Sequence, residues 1–399
     1  MRSVELFAGA GGLALGCELA GFRPERVVEW DKWACDTMRQ NIERDYPLVS
    51  GWRVEEGDVR SVDWDSITEP IDLVTGGPPC QPFSMGGKHG AFKDTRDMFP
   101  AATEVIRLLR PRAFLLENVK GLTRSSFANY YSYIQLRLSM PELVRRDDET
   151  WSEHLQRLQS EYTSVGYSGL SYQVIPTLVN AADYGVPQQR HRVFLIGFRS
   201  DIDAEFSFPG PSHSRAALLR TKATGEYWVR HRVPKAGRPA LSDTELNLIH
   251  RVEDDGSRPW RTVRDAFEGL PRPGLTESKA FLNHVLQPGA KSYPGHTGSL
   301  LDEPAKTLKA GDHGVPGGEN MLRSPDGSVR YFTIRESARL QTFPDRYELH
   351  GSWTEAMRQL GNAVPVLLAQ KVAGRVAEHL RASEVRQRGS KSRDRRASA

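Results

Sequence analysis

Cysteine is scarce in this chain: three in 399 residues, Cys17, Cys35 and Cys80, with no CxxC pair and no Cys/His cluster. A disulfide framework and a metal site are therefore both excluded as expectations. Long apolar runs are also lacking, and none approaches the roughly 20 residues a membrane-spanning helix needs. The opening residues MRSVELFAGAGG have no apolar core ahead of a cleavage site, so no secretory signal is expected. The cytoplasm is the expected compartment, and its reducing conditions would keep all three thiols free. Charge of one sign is not abundant overall, with a net +4. It is unevenly spread, however. Ser207 to Ala240 holds seven Lys or Arg against Glu226 alone, and Arg381 onward holds seven against Glu384 and Asp394. The first cluster suits a polyanionic partner, and the second reads as a solvated, disordered tail over 381–399.

What is present begins with GGPPCQPFS at 76–84, where prolines restrict the backbone on both sides of Cys80. The first 200 residues alternate short apolar runs with helical spacings. SVELF (3–7), RVVEW (26–30), IDLVTGG (71–77), AFLLENV (113–119) and RVFLIGF (192–198) read as strands. Between them, 13–22, 32–42 and 98–111 read as helices, the last stopped by Pro111. This alternation predicts an α/β domain with a doubly wound, mostly parallel sheet. Ligands in such folds gather at the carboxyl ends of the strands, where Glu29, Asp58, Cys80 and Glu117 all fall. Trp151, Leu155, Leu158 and Tyr162 recur at helical spacing, predicting an amphipathic helix. From about 200 to 325 prolines and glycines are frequent and periodicity weakens, predicting a smaller, loop-rich module. Helical patterning returns over 334–343 and 354–380.

ELFAGAGGLALG (5–16) puts Gly9, Gly11 and Gly12 between a strand and a helix. Glycines there serve a tight turn or let a ligand approach the backbone near unpaired helix N–H groups. The spacing is not G-x-G-x-x-G, so a nicotinamide cofactor is not the first choice. Glu29 can accept from ribose hydroxyls, Trp30 offers a flat face to adenine, and Asp58 can take its amino group. Each reads equally as a surface acid or a core aromatic. Cys80 and Glu117 pair a nucleophile with an acid whose burial would raise its pKa, although Glu117 could equally serve a structural ion pair. Arg190 and Arg192, two apart, leave an extended chain on one face and suit a developing negative charge, or else ordinary salt bridges.

Taken in order, these motifs resemble the DNA (cytosine-5) methyltransferases of bacterial or phage type, from about residue 3 to 380. ELFAGAGGLALG resembles their cofactor loop, and EWD (29–31) and GDV (57–59) their adenosine motifs. GGPPCQPFS resembles the catalytic motif, ENV (117–119) the acid motif, and QQRHR (188–192) the arginine motif. RESARLQTFPD (335–345) and GNAVPV (361–366) resemble the last two.

The resemblance implies a class I methyltransferase, Rossmann-like, that uses S-adenosylmethionine and releases S-adenosylhomocysteine. Phe7, Gly9, Gly11, Gly12, Leu13, Glu29, Trp30, Asp58, Val59, Pro78, Asn362 and Val364 would line the cofactor. Cys80, Glu117, Arg192 and Arg190 would act on a cytosine flipped out of duplex DNA. Ser84, Gly86, Lys88 and Arg96, with Arg215, Arg230 and Arg232, would meet DNA. The implied division is a catalytic domain over 1–199, a target recognition domain over 200–325, and a return to the catalytic domain over 326–380. A monomer without metal is expected, either paired with a restriction endonuclease or acting as an orphan methylase.

Two rivals are set against this. A tRNA cytosine methyltransferase on the same scaffold would carry a Cys-Phe-Thr signature, but no cysteine follows Cys80. A scaffold that grips DNA without turnover would not need Cys80, Glu117 and Arg192 together. Cysteine after the two prolines, in place of an aromatic residue, favours a ring carbon over an exocyclic nitrogen as target.

Overall fold

The computed structural model describes residues 1–79, 97–164, 167–202, 205–294, 297–311 and 320–397. The first half follows the alternation read from the sequence. Strand β1 (Arg2–Leu6), helix α1 (Gly12–Leu19), β2 (Arg23–Glu29), α2 (Lys32–Glu43), β3 (Val54–Glu56) and β4 (Leu73–Gly76) lead to α3 (Phe99–Leu109) and β5 (Ala113–Val119). Helices α4 (Ala128–Ser139) and α5 (Trp151–Thr163) precede the hairpin of β6 (Tyr172–Asn180) and β7 (His191–Arg199). The seven strands form one sheet in the order β3-β2-β1-β4-β5-β7-β6. β1 to β5 pair in parallel, and β7 lies antiparallel between β5 and β6.

Local chemistry fixes the element ends. The Asp31 carboxylate accepts the Ala34 N–H at 3.0 Å and caps α2, a bond worth about 1 kcal/mol. Thr150 and Glu153 form a reciprocal capping box on α5. That helix is the amphipathic one expected, with Leu158 buried and Tyr162 exposed. One face of the sheet packs on α3, α4 and α5 through Val74, Phe114 and Leu195; the other packs on α1 and the C-terminal helix through Leu73, Leu115 and Ile196.

The region after Ser200 is less loop-like than its composition suggests. It carries β8 (His213–Ser214), α6 (Arg215–Thr224), α7 (Glu226–Arg230), α8 (Asp243–Arg251), β9 (Arg258–Pro259) and α9 (Val263–Ala266). Trp228 and Trp260 are buried with Ala182, Leu218, Tyr227 and Val233 in a small core. A three-stranded sheet follows from β10 (Ser299–Leu300), β11 (Met321–Arg323) and β12 (Val329–Tyr331). The boundary expected at 325 falls between the paired strands β11 and β12.

Helices α10 (Ile334–Leu340), α11 (Trp353–Asn362) and α12 (Val366–Ala397) complete the chain. The disordered tail expected over 381–399 is corrected as far as Ala397, where α12 still continues. Ala, Arg, Glu, Gln and Lys all favour helix there, and no proline interrupts. Arg112 ties the helix down, reaching Glu384 at 2.6 Å and the Leu380 carbonyl at 3.0 Å.

Candidate active site

Two clusters stand at the carboxyl ends of the parallel strands. The first is built by β5 and the antiparallel strand beside it. Val119 lies opposite Arg192 and Glu117 opposite Phe194, so Glu117 and Arg192 are diagonal neighbours on one face. Arg192 Nε is 2.6 Å from Glu117 Oε1, and the two residues are only 8% and 7% exposed. The contact is a close ion pair, and no further hydrogen bond reaches Glu117 Oε1 among the described residues. Burial pushes the Glu117 carboxyl above its ordinary range, against the pull of Arg192 and Arg190. Burial likewise lowers Arg192, opposed by Glu117. The result is an acid that holds its proton more readily than usual beside a fixed cation.

β4 delivers the chain to the same place. Asn118 Nδ2 donates to the carbonyl of buried Pro78 at 3.0 Å, and the Met98 N–H donates to the Pro79 carbonyl at 3.3 Å. Cys80 lies outside the described residues, as do Ser84, Gly86, Lys88 and Arg96. The chain thus leaves at Pro79 and returns at Met98, beside the strand that carries Glu117. Cys17 and Cys35 are both buried. Burial drives the Cys17 thiol well up and pushes Cys35 up to about 12, so neither supplies a thiolate at neutral pH.

The second cluster surrounds the turn between β1 and α1. Phe7 and Gly9 both have φ of 53°, and Gly11, φ 81°, stands at the N-terminus of α1. The glycines divide their duties. A side chain at Gly9 would meet nothing within 4 Å, so its backbone faces open space. A Cβ on Gly12 would sit 2.5 Å from the Val364 carbonyl, so the packing of α1 against that segment requires glycine there. Leu13, Val59 and Val364 are buried, whereas Asn362 is exposed at the end of α11.

The Glu29 carboxylate is already engaged. It accepts the N–H groups of Gly9 at 2.7 Å, Trp30 at 2.9 Å and Asp31 at 2.8 Å, which fixes the turn from beneath. Asp58 caps the short turn at Val59–Ser61 and is paired with Arg60. Trp30 is 75% exposed, a bare indole beside that turn. Open backbone at Gly9, orphan N–H groups of α1 and an exposed indole together fit a nucleoside-bearing ligand.

Arg190 requires a correction. Spacing puts it on the face of Arg192, but β7 starts only at His191, and the Arg190 side chain runs into the protein. It is fully buried, donating to the carbonyls of Leu308 at 3.0 Å, Gly361 at 2.6 Å and Ala363 at 2.9 Å. Three of its four Nη hydrogens go to backbone and its buried Nε has no partner among the described residues, so the side chain is placed to brace the fold rather than beside Arg192. Among the basic residues expected to meet DNA, Arg230 is paired with Asp265 at 3.0 Å and lies over the Tyr227 ring. Arg215 lies 3.8 Å from Glu245, and Arg232 is exposed with φ 54°. The sequence reading missed buried Gln188 and Gln341, which join segments distant in sequence; their place in the QQRHR and RLQTF runs was the available signal.

A sequence model of the C-5 cytosine-specific DNA methylases matches residues 1–139 and 141–378. The chain belongs to that family. It is 32% identical over 388 residues to Type II methyltransferase M.PspPI of Psychrobacter sp. (strain TA137), covering 95% of this chain and 80% of that one. It is 31% identical over 380 residues to M.Sau96I of Staphylococcus aureus, covering 94% and 75%. Among solved structures, the S. pombe Dnmt2 methyltransferase shares the fold, with a TM-score of 0.53 at 18% identity over 96% of this chain and 99% of that one. A cytosine-5 DNA methyltransferase is an enzyme, so the reading of a scaffold that binds DNA without turnover gives way. DNA likewise takes precedence over tRNA as substrate. No helix among the described residues is long and apolar enough to cross a membrane, and no metal-binding cluster occurs among them.

Proposed function

We propose that this methyltransferase uses S-adenosylmethionine and acts through Cys80 on a cytosine flipped out of duplex DNA. The observation that carries the reading is the buried Glu117–Arg192 pair, set beside the chain that leads into Cys80. Gly9, Phe7 and the N-terminus of α1, with Trp30, would hold the cofactor, and Glu29 shapes the turn beneath it. When bound, S-adenosylmethionine supplies an electrophilic methyl group.

The protein's own contribution is to make cytosine C5 a nucleophile. The Cys80 thiolate adds to C6, pushing electron density towards C5 and N3. Glu117, whose carboxyl burial shifts towards holding its proton, donates to N3 and meets the exocyclic amine. Arg192 holds O2 and offsets the charge that builds there. Loss of the C5 proton to a base then expels Cys80. Extracting the cytosine from the duplex costs a few kcal/mol, which contacts from Ser84, Gly86, Lys88 and Arg96 would offset.

The region from 200 to the β11–β12 hairpin would read the target sequence, with Arg215, Arg230 and Arg232 near the backbone. The relatives are named Type II methyltransferases, which supports a restriction-modification role, paired with an endonuclease, in the cytoplasm. Bisulfite sequencing of DNA from cells expressing the wild type or Cys80→Ala tests the reading. One sequence motif methylated at C5 by the wild type alone is expected; methylation by Cys80→Ala would overturn it.

A further inference from the structure

Arg190 is a buried cation whose side-chain bonds go to backbone carbonyls from two distant parts of the chain. Leu308 follows β10, while Gly361 and Ala363 form the junction of α11 and α12. That junction continues into Val364, whose carbonyl lies against Gly12 at the start of α1. Leu308 belongs to a segment docked through a single parallel β-bridge, Ala305 to Gln188, on residues 187–189. Ala305 N–H donates to the Pro187 carbonyl at 3.0 Å, and Gln189 N–H returns to the Ala305 carbonyl at 2.8 Å. Thr307 Oγ1 donates to the Gln189 carbonyl at 2.6 Å.

Residues 187–190 lead directly into Arg192, and the segment docked on them carries exposed Lys306 and Lys309. Gln188 and Gln341 bond each other at 3.3 Å within the same network. A lone amide could tie two strands. A planar guanidinium that serves three carbonyls fixes both segments relative to one another at the cost of burying a charge.

We propose that Arg190 is a positioning residue that couples the DNA-facing segment 305–308 to the cofactor turn, so that binding of DNA and binding of cofactor strengthen one another. The inference rests on the cofactor turn and the DNA-facing role assigned above. Such coupling is reciprocal and amounts to about 5–150-fold in affinity where two sites share one two-state element.

The test is calorimetric titration of S-adenosylhomocysteine, with and without a duplex carrying the methylated motif, into wild type and Arg190→Lys. The variant keeps the charge and loses the fork. The wild-type affinity ratio should exceed about 5, and that of Arg190→Lys should fall to about 1 while binary S-adenosylhomocysteine binding persists. A purely structural brace would lower Tm and leave the ratio unchanged, which would overturn the proposal. So would a wild-type ratio of 1. Should wild type fail to bind S-adenosylhomocysteine at all, the cofactor reading itself falls and takes this inference with it. Thr307→Val removes only the bond to Gln189 and should reduce the ratio partway. If Arg190→Lys does not fold, a Thr307→Val ratio equal to wild type counts against the coupling.

Discussion

The two ends of the strand row treat their carboxylates in opposite ways. At the β1–β2 end, Glu29 gives its oxygens to three backbone N–H groups and becomes part of the turn. At the β5–β7 end, Glu117 is paired with the Arg192 cation at 2.6 Å and receives no backbone N–H among the described residues. The first arrangement completes a rigid shape. The second keeps a polar group out of water with work still to do, an expensive state that suits a reacting partner. Burial alone does not separate them, since both carboxyls are raised by it. What separates them is whether the surrounding donors are already spent.

Exchanging the two acids should break the symmetry of that comparison most sharply. Glu117→Gln should lower kcat by about 10²–10⁴-fold with S-adenosylhomocysteine affinity unchanged, read by single-turnover kinetics and calorimetry. Glu29→Gln should do the reverse, weakening cofactor affinity more than the chemical step. In the proposed mechanism the neutral form of Glu117 is the active one, so kcat/KM of the wild type should fall as pH rises through its raised pKa. Glu117→Gln should lack that alkaline limb.

A third buried carboxyl sharpens the point. Glu5, within β1, is pushed up to about 8 by burial, relieved only by a hydrogen bond from Thr75. It faces no ligand, so its effect should appear in stability. Its raised folded pKa favours the folded state below the unfolded value near 4.5, and that advantage is lost as pH rises through about 8. Thermal melts from pH 5 to 8 should therefore show wild-type Tm falling relative to Glu5→Gln; parallel curves would show that Glu5 does not hold its proton.

The smallest contrast lies between two glycines. Gly12→Ala places a methyl group 2.5 Å from the Val364 carbonyl and should cost about 1–3 kcal/mol of stability. Gly9→Ala meets no atom, and its positive φ should cost about 1–2 kcal/mol, with a selective loss of cofactor affinity. Equal losses of stability and affinity in both variants would remove the distinction drawn between them.

Much of this was legible in the sequence because strands buried on both faces announce themselves as apolar runs. AFLLENV is a strand over Ala113–Val119, as its composition requires, and it places Glu117 at a strand end. The motif order carried the family. What stayed hidden depends on partners far along the chain. Arg190 and Arg192 have the same i, i+2 relation in any extended segment, but only the arrival of Leu308, Gly361 and Ala363 makes one a brace. That Gly12 is also required by packing is visible only once Val364 is seen against it. The basic C-terminal residues have a composition suited to disorder, yet they follow α12, whose preceding turns are packed on α1 and the sheet. The stretch from about 200 to 325 reads as loop-rich from its prolines and glycines, yet Trp228 and Trp260 give it a local core.

The central claim is that Glu117 and Arg192 serve addition of the Cys80 thiolate to C6. It is tested most directly by trapping on duplex DNA carrying 5-fluorocytosine at the methylated position, with S-adenosylmethionine present. Fluorine at C5 blocks the final elimination, so wild type should form a denaturation-resistant protein–DNA complex. Glu117→Gln should form it far more slowly and Cys80→Ala not at all. A covalent complex with Cys80→Ala, or equal trapping rates for wild type and Glu117→Gln, would contradict the account.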